Sequence, residues 1–266
     1  TGHGWGNLQS VHLNLPFADD EEFGRLHAAI RLLLPILPAL AASSPVMDGA
    51  VNGRADNRLH VYRFNSARLP ILTGAVIPEQ VFTEEHYKRV IYDAIDTALA
   101  PYDTSGILNH AWMNARGAIA RFDRGAIEIR VLDIQERPAA DLAVLAVVVE
   151  AVKALVSERW CDLETQQSWA VEPLHHVLLE CIDHAEEAMI DHAPYLSVFG
   201  MSATRATARD LWRHVINAAP PPAEFAPAIE LILAQGTLSR RLTTALGADP
   251  DPERLETVFR QLASCL

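Results

Sequence analysis

"RGAIEIRVLDIQERP", residues 124–138, decides how this chain is read. Ile127, Ile129 and Val131 alternate with Glu128 and Arg130, so a β-strand here puts the aliphatic side chains on one face and the acid–base pair on the other. "QSVHLNLPF", residues 9–17, alternates in the same way, with Ser10, His12 and Asn14 opposite Val11, Leu13 and Leu15, and Pro16 ends it. If the two strands share a sheet with helices on its apolar face, the other face is a floor of imidazole, amide, carboxylate and guanidinium. Two readings of that floor stay open. It is a solvated face with a salt bridge of small value, or a surface suited to Mg²⁺ and phosphate, with hard oxygen ligands for the cation and a planar fork for phosphoryl oxygens.

Outward from these strands the pattern is mostly helical. "ADDEEFGRLHAAIRLLLPILPALAA" (18–42) carries Asp19 as N-cap with Glu22 three residues on, acids in its first turn, and Pro35 and Pro38 to kink or end it. "SSPVMDGAVNGRADN" (43–57) reads as a loop, and "RLHVYRFNSARLP" (58–70) fits neither regular period. Thr83 caps an amphipathic helix through "TEEHYKRVIYDAIDTALAPY". "PAADLAVLAVVVEAVKALVSERW" (138–160) is apolar nearly all round, as for a buried helix packed on a sheet. From Trp169 onward the pattern is helical, broken at Pro194, at 220–222 and at "GADPDP". The fold class is therefore α+β, with residues 1–160 an α+β region and 161–266 helical.

The 266 residues, half of them hydrophobic, are enough for a real core. A formal charge of −12, with 22 scattered basic residues, argues against nucleic acid or an anionic membrane as partner. Cys161, Cys181 and Cys265 form no CxxC or disulfide framework, and no apolar run approaches a membrane span, which points to the cytoplasm. No Walker loop, GxGxxG, GxSxG or HExxH occurs. His175, His176 and Glu180, and then His184, Glu187 and His192, invite a metal assignment. The i, i+4, i+8 spacing of Asp183, Glu187 and Asp191 is also that of a charged helix face.

The stretches "SVHLNLPF", "LAASSPVMDG", "NRLHVYRFNSARLP" and "LNHAWMNARGAIARFDRGAIEIRVLDIQERP" follow one another in the order seen in the glutamate–cysteine ligase family. Over roughly residues 3 to 155 the chain resembles its bacterial carboxylate–amine ligase-like branch. The resemblance implies a curved antiparallel sheet of the glutamine synthetase and guanidino kinase type, holding ATP, Mg²⁺, a glutamate-like acid and an amine. The acid would be phosphorylated by ATP and the acyl phosphate displaced by the amine. It makes residues 1–160 the C-terminal part of the catalytic core. It also assigns Glu128 to the metal, Arg130 to the transferring phosphate, and His12 to the nucleotide–metal region with Asn14 beside it. Arg58 and Arg63 are candidates for substrate carboxylates, with surface charge as their plain reading. Asn114, Arg116 and Arg121 are candidates for closing over phosphates, with loop capping as theirs.

Family members carry near their N-terminus a strand of closely spaced glutamates that supplies most metal ligands. The sequence opens at Thr1 without that strand, so an N-terminal part is expected outside it and the chain is expected to hold half of an active site. A non-catalytic scaffold binding a small acid or a protein is the alternative. The acid, the amine and the oligomeric state stay open; the apolar 139–156 segment suits core or an interface with a second copy.

Overall fold

The structure is a computed structural model that describes residue 6 and residues 8–264; Thr1 and Cys265 lie outside the described residues. The two alternating stretches become neighbouring strands. β1 (Val11–Pro16) pairs antiparallel with the Ala126–Leu132 strand, which pairs in turn with Ala118–Arg121. Between these in sequence, Val46–Met47 and Ala50–Val51 make a small hairpin inside the expected loop. Numbered in chain order the strands are β1, β2 and β3 for the hairpin, β4 (Ala118–Arg121) and β5 (Ala126–Leu132). The hairpin turn is Asp48–Gly49, both at positive φ (54° and 78°), the backbone that a two-residue turn with right-handed strand twist requires. The "DG" pair carried that signal in the sequence.

Register fixes which side chains meet. Asn14 lies opposite Glu128 and Leu13 opposite Ile129, with an irregularity between Val11 and Leu13 that brings His12 beside the Glu128–Arg130 segment. On the far side Ile119 of β4 lies opposite Glu128, so it shares the polar face. Ile119 is buried and Glu128 only 7 % exposed. The floor is therefore polar across two strands and apolar across the third, narrower and more covered than alternation alone suggested.

The opposite face is the core. Ile127 and Ile129 are fully buried in a cluster with Phe23, Ile30 and Leu33 of the Asp20–Leu33 helix. That helix is capped as expected: Asp19 accepts from the Glu22 amide, and Glu22 Oε2 accepts from the Ala18 amide at 2.8 Å. It ends at Leu33, and a 3₁₀ turn carrying Pro35 and a short Pro38–Ala41 helix follow. Thr83 likewise caps its helix. The Pro138–Val156 helix packs chiefly on the Asp20–Leu33 and Ala226–Gln235 helices, and Leu142 on it is exposed. It is thus one layer further from the sheet than expected, and not buried all round.

The main core continues past residue 160 into the Val171–His184 and Ala208–Ala218 helices, with packing continuous across that position. A second small cluster joins the Leu238–Leu246 and Pro252–Ala263 helices to Val46 and Val51 of the hairpin. Two further short strands, Met189–Ile190 and Ala206–Thr207, pair within the region read as wholly helical. Among the described residues no helix is long and apolar enough to cross a membrane.

Candidate functional site

The floor's centre is the Glu128 carboxylate. Arg130 Nε lies 3.0 Å from Glu128 Oε1, and His12 Nδ1 lies 3.4 Å from the same oxygen. His12 is held from its other side, with Nε2 3.0 Å from Ser10 Oγ. A neutral imidazole meets both contacts when Nδ1 carries the proton toward the carboxylate and Nε2 accepts from the hydroxyl. Burial lowers the His12 pKa; Glu128 pulls it up, and Arg130 and Arg58 push it further down, for a net shift below the usual value. His12 is therefore a neutral hydrogen-bonding group at pH 7. Arg130 also donates from Nη1 to the Asn114 carbonyl at 3.2 Å, and its side chain lines a cavity of about 310 Å³ with Ser66, Trp112 and Met113.

Arg58 sits close to this floor and Arg63 does not. The segment that fitted neither period is a helix, Asn57–Phe64, capped by Asp56, whose carboxylate accepts from the Leu59 amide at 2.7 Å. Five residues of helix turn the chain through about 140° beyond a full circle, so the two arginines leave on different faces. Arg58 is buried, bonded to the Asp133 carboxylate and, at 2.7 Å, to the Val131 carbonyl. Its Nη1 has no hydrogen-bond partner among the described residues, and it borders a cavity of about 390 Å³ with Ser43, Ser44 and Asp133. Arg63 is half-buried, lies over the Phe64 ring at 5.0 Å, and has its pKa lowered by burial.

The loop candidates face inward. Asn114 Nδ2 donates to the Tyr87 hydroxyl at 2.9 Å and Asn114 Oδ1 accepts from Arg116 Nη1 at 3.1 Å. Arg116 is fully buried and makes a bidentate pair with Glu79, both bonds 2.5 Å, while Nη1 also reaches the Ile71 carbonyl at 3.2 Å. Arg121 lies off the floor's centre, 3.4 Å from Asp123, and lines a separate cavity with Tyr92 and His110.

Sequence reasoning passed over the groups that set Arg58 in place. Asp133 gathers the Ser43 amide at 2.8 Å, the Ser44 hydroxyl at 2.9 Å and Arg58. Asp56, fully buried beside it, has its carboxyl pushed up to about 7 by burial and by the Asp133 charge, against the pull of Arg58. The signal was a serine pair read only as loop and an acid one residue beyond the strand.

The charged face expected along Asp183, Glu187 and Asp191 does not form. The helix stops at His184 and Ala185 takes φ 45°, which turns the later acids away from its axis. His175 Nδ1 instead meets the Ala75 carbonyl at 2.8 Å. Among the described residues no three His, Cys, Asp or Glu side chains converge as a metal would require.

The model for glutamate–cysteine ligase family 2 (GCS2) matches residues 2–244. The chain belongs to that family. An Archaeoglobus fulgidus relative named "Uncharacterized protein" is 36 % identical over 164 residues, covering 60 % of this chain and 43 % of its own length. A Nocardioides protein named "Putative glutamate--cysteine ligase 2-1" is 29 % identical over 169 residues, 64 % of this chain and 40 % of that one. The Corynebacterium glutamicum strain R protein "Putative glutamate--cysteine ligase 2" is 28 % identical over 176 residues, 63 % and 42 % of the respective chains. The chain thus spans about two fifths of the length of these curated relatives. Family and relatives together support a ligase-like function.

Proposed function

We propose that this chain forms part of an ATP- and Mg²⁺-dependent carboxylate–amine ligase that joins a glutamate-like acid to an amine through an acyl phosphate. One observation carries the reading: Glu128, Arg130 and His12 meet on one sheet face, and Arg58, with a free Nη1, lies close by. Phosphoryl transfer asks a protein mainly for positioning and charge neutralisation. Arg130 would neutralise the transferring phosphoryl group, since Glu128, Asn114 and Tyr62 take up only part of its five-donor fork and a quarter of its side chain is exposed. Arg58 Nη1 would grip the acid's carboxylate.

The donor set fits a single Mg²⁺ and no more. Magnesium is commonly held by one or two carboxylates together with substrate phosphates and water. Glu128 supplies one such oxygen, with Asn14 opposite it in register. Glu128 would hold the ion, which would supply charge neutralisation, and Arg130, once free of Glu128, would turn its guanidinium toward phosphate. Further ions would need carboxylates beyond those that the described residues place on this face. His12, neutral and fixed at both nitrogens, would hold Glu128 in orientation.

The test is to supply the full-length protein with ATP, Mg²⁺ and a panel of acid–amine pairs and to measure ADP. ADP release should require acid and amine together and fall about 100-fold in Glu128→Gln, the scale set by loss of support at a metal. No turnover with any pair would overturn the catalytic reading. The Glu128–Arg130 contact favours the second reading, a non-catalytic scaffold in which the pair is structural. Binding of a small acid that depends on Arg58, without ADP release, would establish it.

A further inference from the structure

A cavity of about 320 Å³ opens away from the sheet, between the chain at 51–55, the turn at 183–187 and one side of the Leu238–Leu246 helix. It is built from groups of both signs. Arg54 donates from Nε to Asp183 Oδ1 at 2.5 Å, and Asp183 Oδ2 takes no hydrogen bond among the described residues. Arg240 donates from Nε to Glu186 at 2.9 Å and lies 2.9 Å from Glu187 Oε1, an oxygen that also accepts from Arg209 Nη2 at 2.6 Å, which leaves Glu187 Oε2 for a ligand. Thr243 and Thr244 add hydroxyls from the next turn of the same helix.

The base is rigid. Glu186 is only 3 % exposed and is tied by the Thr237 hydroxyl, at 2.9 Å, and by Arg240. Gly236 makes room for it, because a Cβ there would come within 2.3 Å of Glu186 Oε1. The rim is different: Asp183, Glu187 and Arg240 are each close to half exposed, with hydrogen-bonding capacity still turned to solvent. Buried charge fixed below and opposite charges left open above is the layout of a site that orients a ligand by its ends.

We propose that this cavity binds a free α-amino acid, its carboxylate on Arg54 and Arg240 and its ammonium on Asp183 and Glu187. The volume lies at the lower end of the range for small-molecule sites, about 300–1,000 Å³, which suits a ligand of amino-acid size. An anion alone would meet three lining carboxylates, and a cation alone two guanidiniums; a zwitterion satisfies both. Nothing in this rests on the sheet site.

Calorimetric titration of the full-length protein with glycine, glutamate, cysteine and lysine tests it. With neither ATP nor Mg²⁺ present, saturable binding of at least one is expected, weakened at least tenfold in Arg54→Ala. The N-acetyl and carboxamide forms of that amino acid should bind at least tenfold more weakly. Thr244→Arg fills the cavity from an exposed position and should block binding in a protein that melts like the parent, which covers failure of Arg54→Ala to fold. Absence of saturable binding by all four overturns the proposal. So does binding that survives both Arg54→Ala and Thr244→Arg, which would return the ligand to the sheet.

Discussion

Two arginine–carboxylate pairs flank β4 and β5, and they differ in how much of each guanidinium is committed. Arg116 is fully buried, and all three of its nitrogens are bonded, two to Glu79 and one to the Ile71 carbonyl and Asn114. Arg130 keeps a quarter of its side chain exposed, meets Glu128 through Nε, the Asn114 carbonyl through Nη1 and the Tyr62 hydroxyl, and lines a cavity. A fully buried fork bonded at every nitrogen is a structural element, whereas a partly exposed fork can exchange a partner for a ligand or water. The family resemblance made both arginines phosphate candidates; burial separates them.

The comparison breaks most visibly at Arg116. Arg116→Met removes the fork and leaves Glu79, the Ile71 carbonyl and Asn114 Oδ1 short of partners. Breaking a buried pair from one side costs about 3–5 kcal/mol; Glu79 is 31 % exposed and partly rehydrates, so urea unfolding should show a loss toward the lower end of that range. A loss under about 1 kcal/mol would mean that water replaces the fork and that Arg116 is as free as Arg130.

A smaller effect concerns the third pair, where Arg58 serves two carboxylates. Asp56 has its pKa raised to about 7, chiefly by burial and then by Asp133. The folded state then holds a proton that the unfolded chain has already released between about pH 4 and 7, so stability falls as pH rises through that window. The contribution is fully present below the unfolded pKa and gone above the folded one. Asp56→Asn, which keeps an oxygen for the Leu59 amide, should flatten the dependence of the unfolding midpoint on pH over this range. An unchanged slope would show that Asp56 titrates normally.

Much of the fold was legible because it rests on local rules. The alternation around Glu128 and His12, the Asp19 and Thr83 caps and the proline breaks are each set by residues within a few positions of one another. The site was legible where it lies on strands. It was not legible at Arg58, Arg116 and Asp133, whose roles depend on partners 37 to 90 residues away. The Asn57–Phe64 helix was missed because both Arg58 and Asn57 are buried polar residues, which spoils an apolar stripe that would otherwise announce it. Ile119 is the converse: its place on the polar face follows only from pairing β4 with β5.

The smallest expected effect is at Arg130 itself. Arg130 is a quarter exposed and the Glu128 carboxylate, though 9 % exposed, keeps His12 as a neighbour, so Arg130→Ala should cost about 1–3 kcal/mol of stability. Its signature is electrostatic. Arg130 pushes the His12 pKa down and Glu128 pulls it up, so removing the arginine should raise the His12 midpoint and Glu128→Gln should lower it. An NMR titration of the His12 ring in the three proteins reads both signs. Equal midpoints in all three would mean that the side chains stand apart in solution, and the sheet face would then be a solvated surface instead of a site. Opposite shifts combined with a small loss of stability would leave Arg130 held by its charge partners and not by packing, as a residue must be if it is to leave Glu128 for a phosphate.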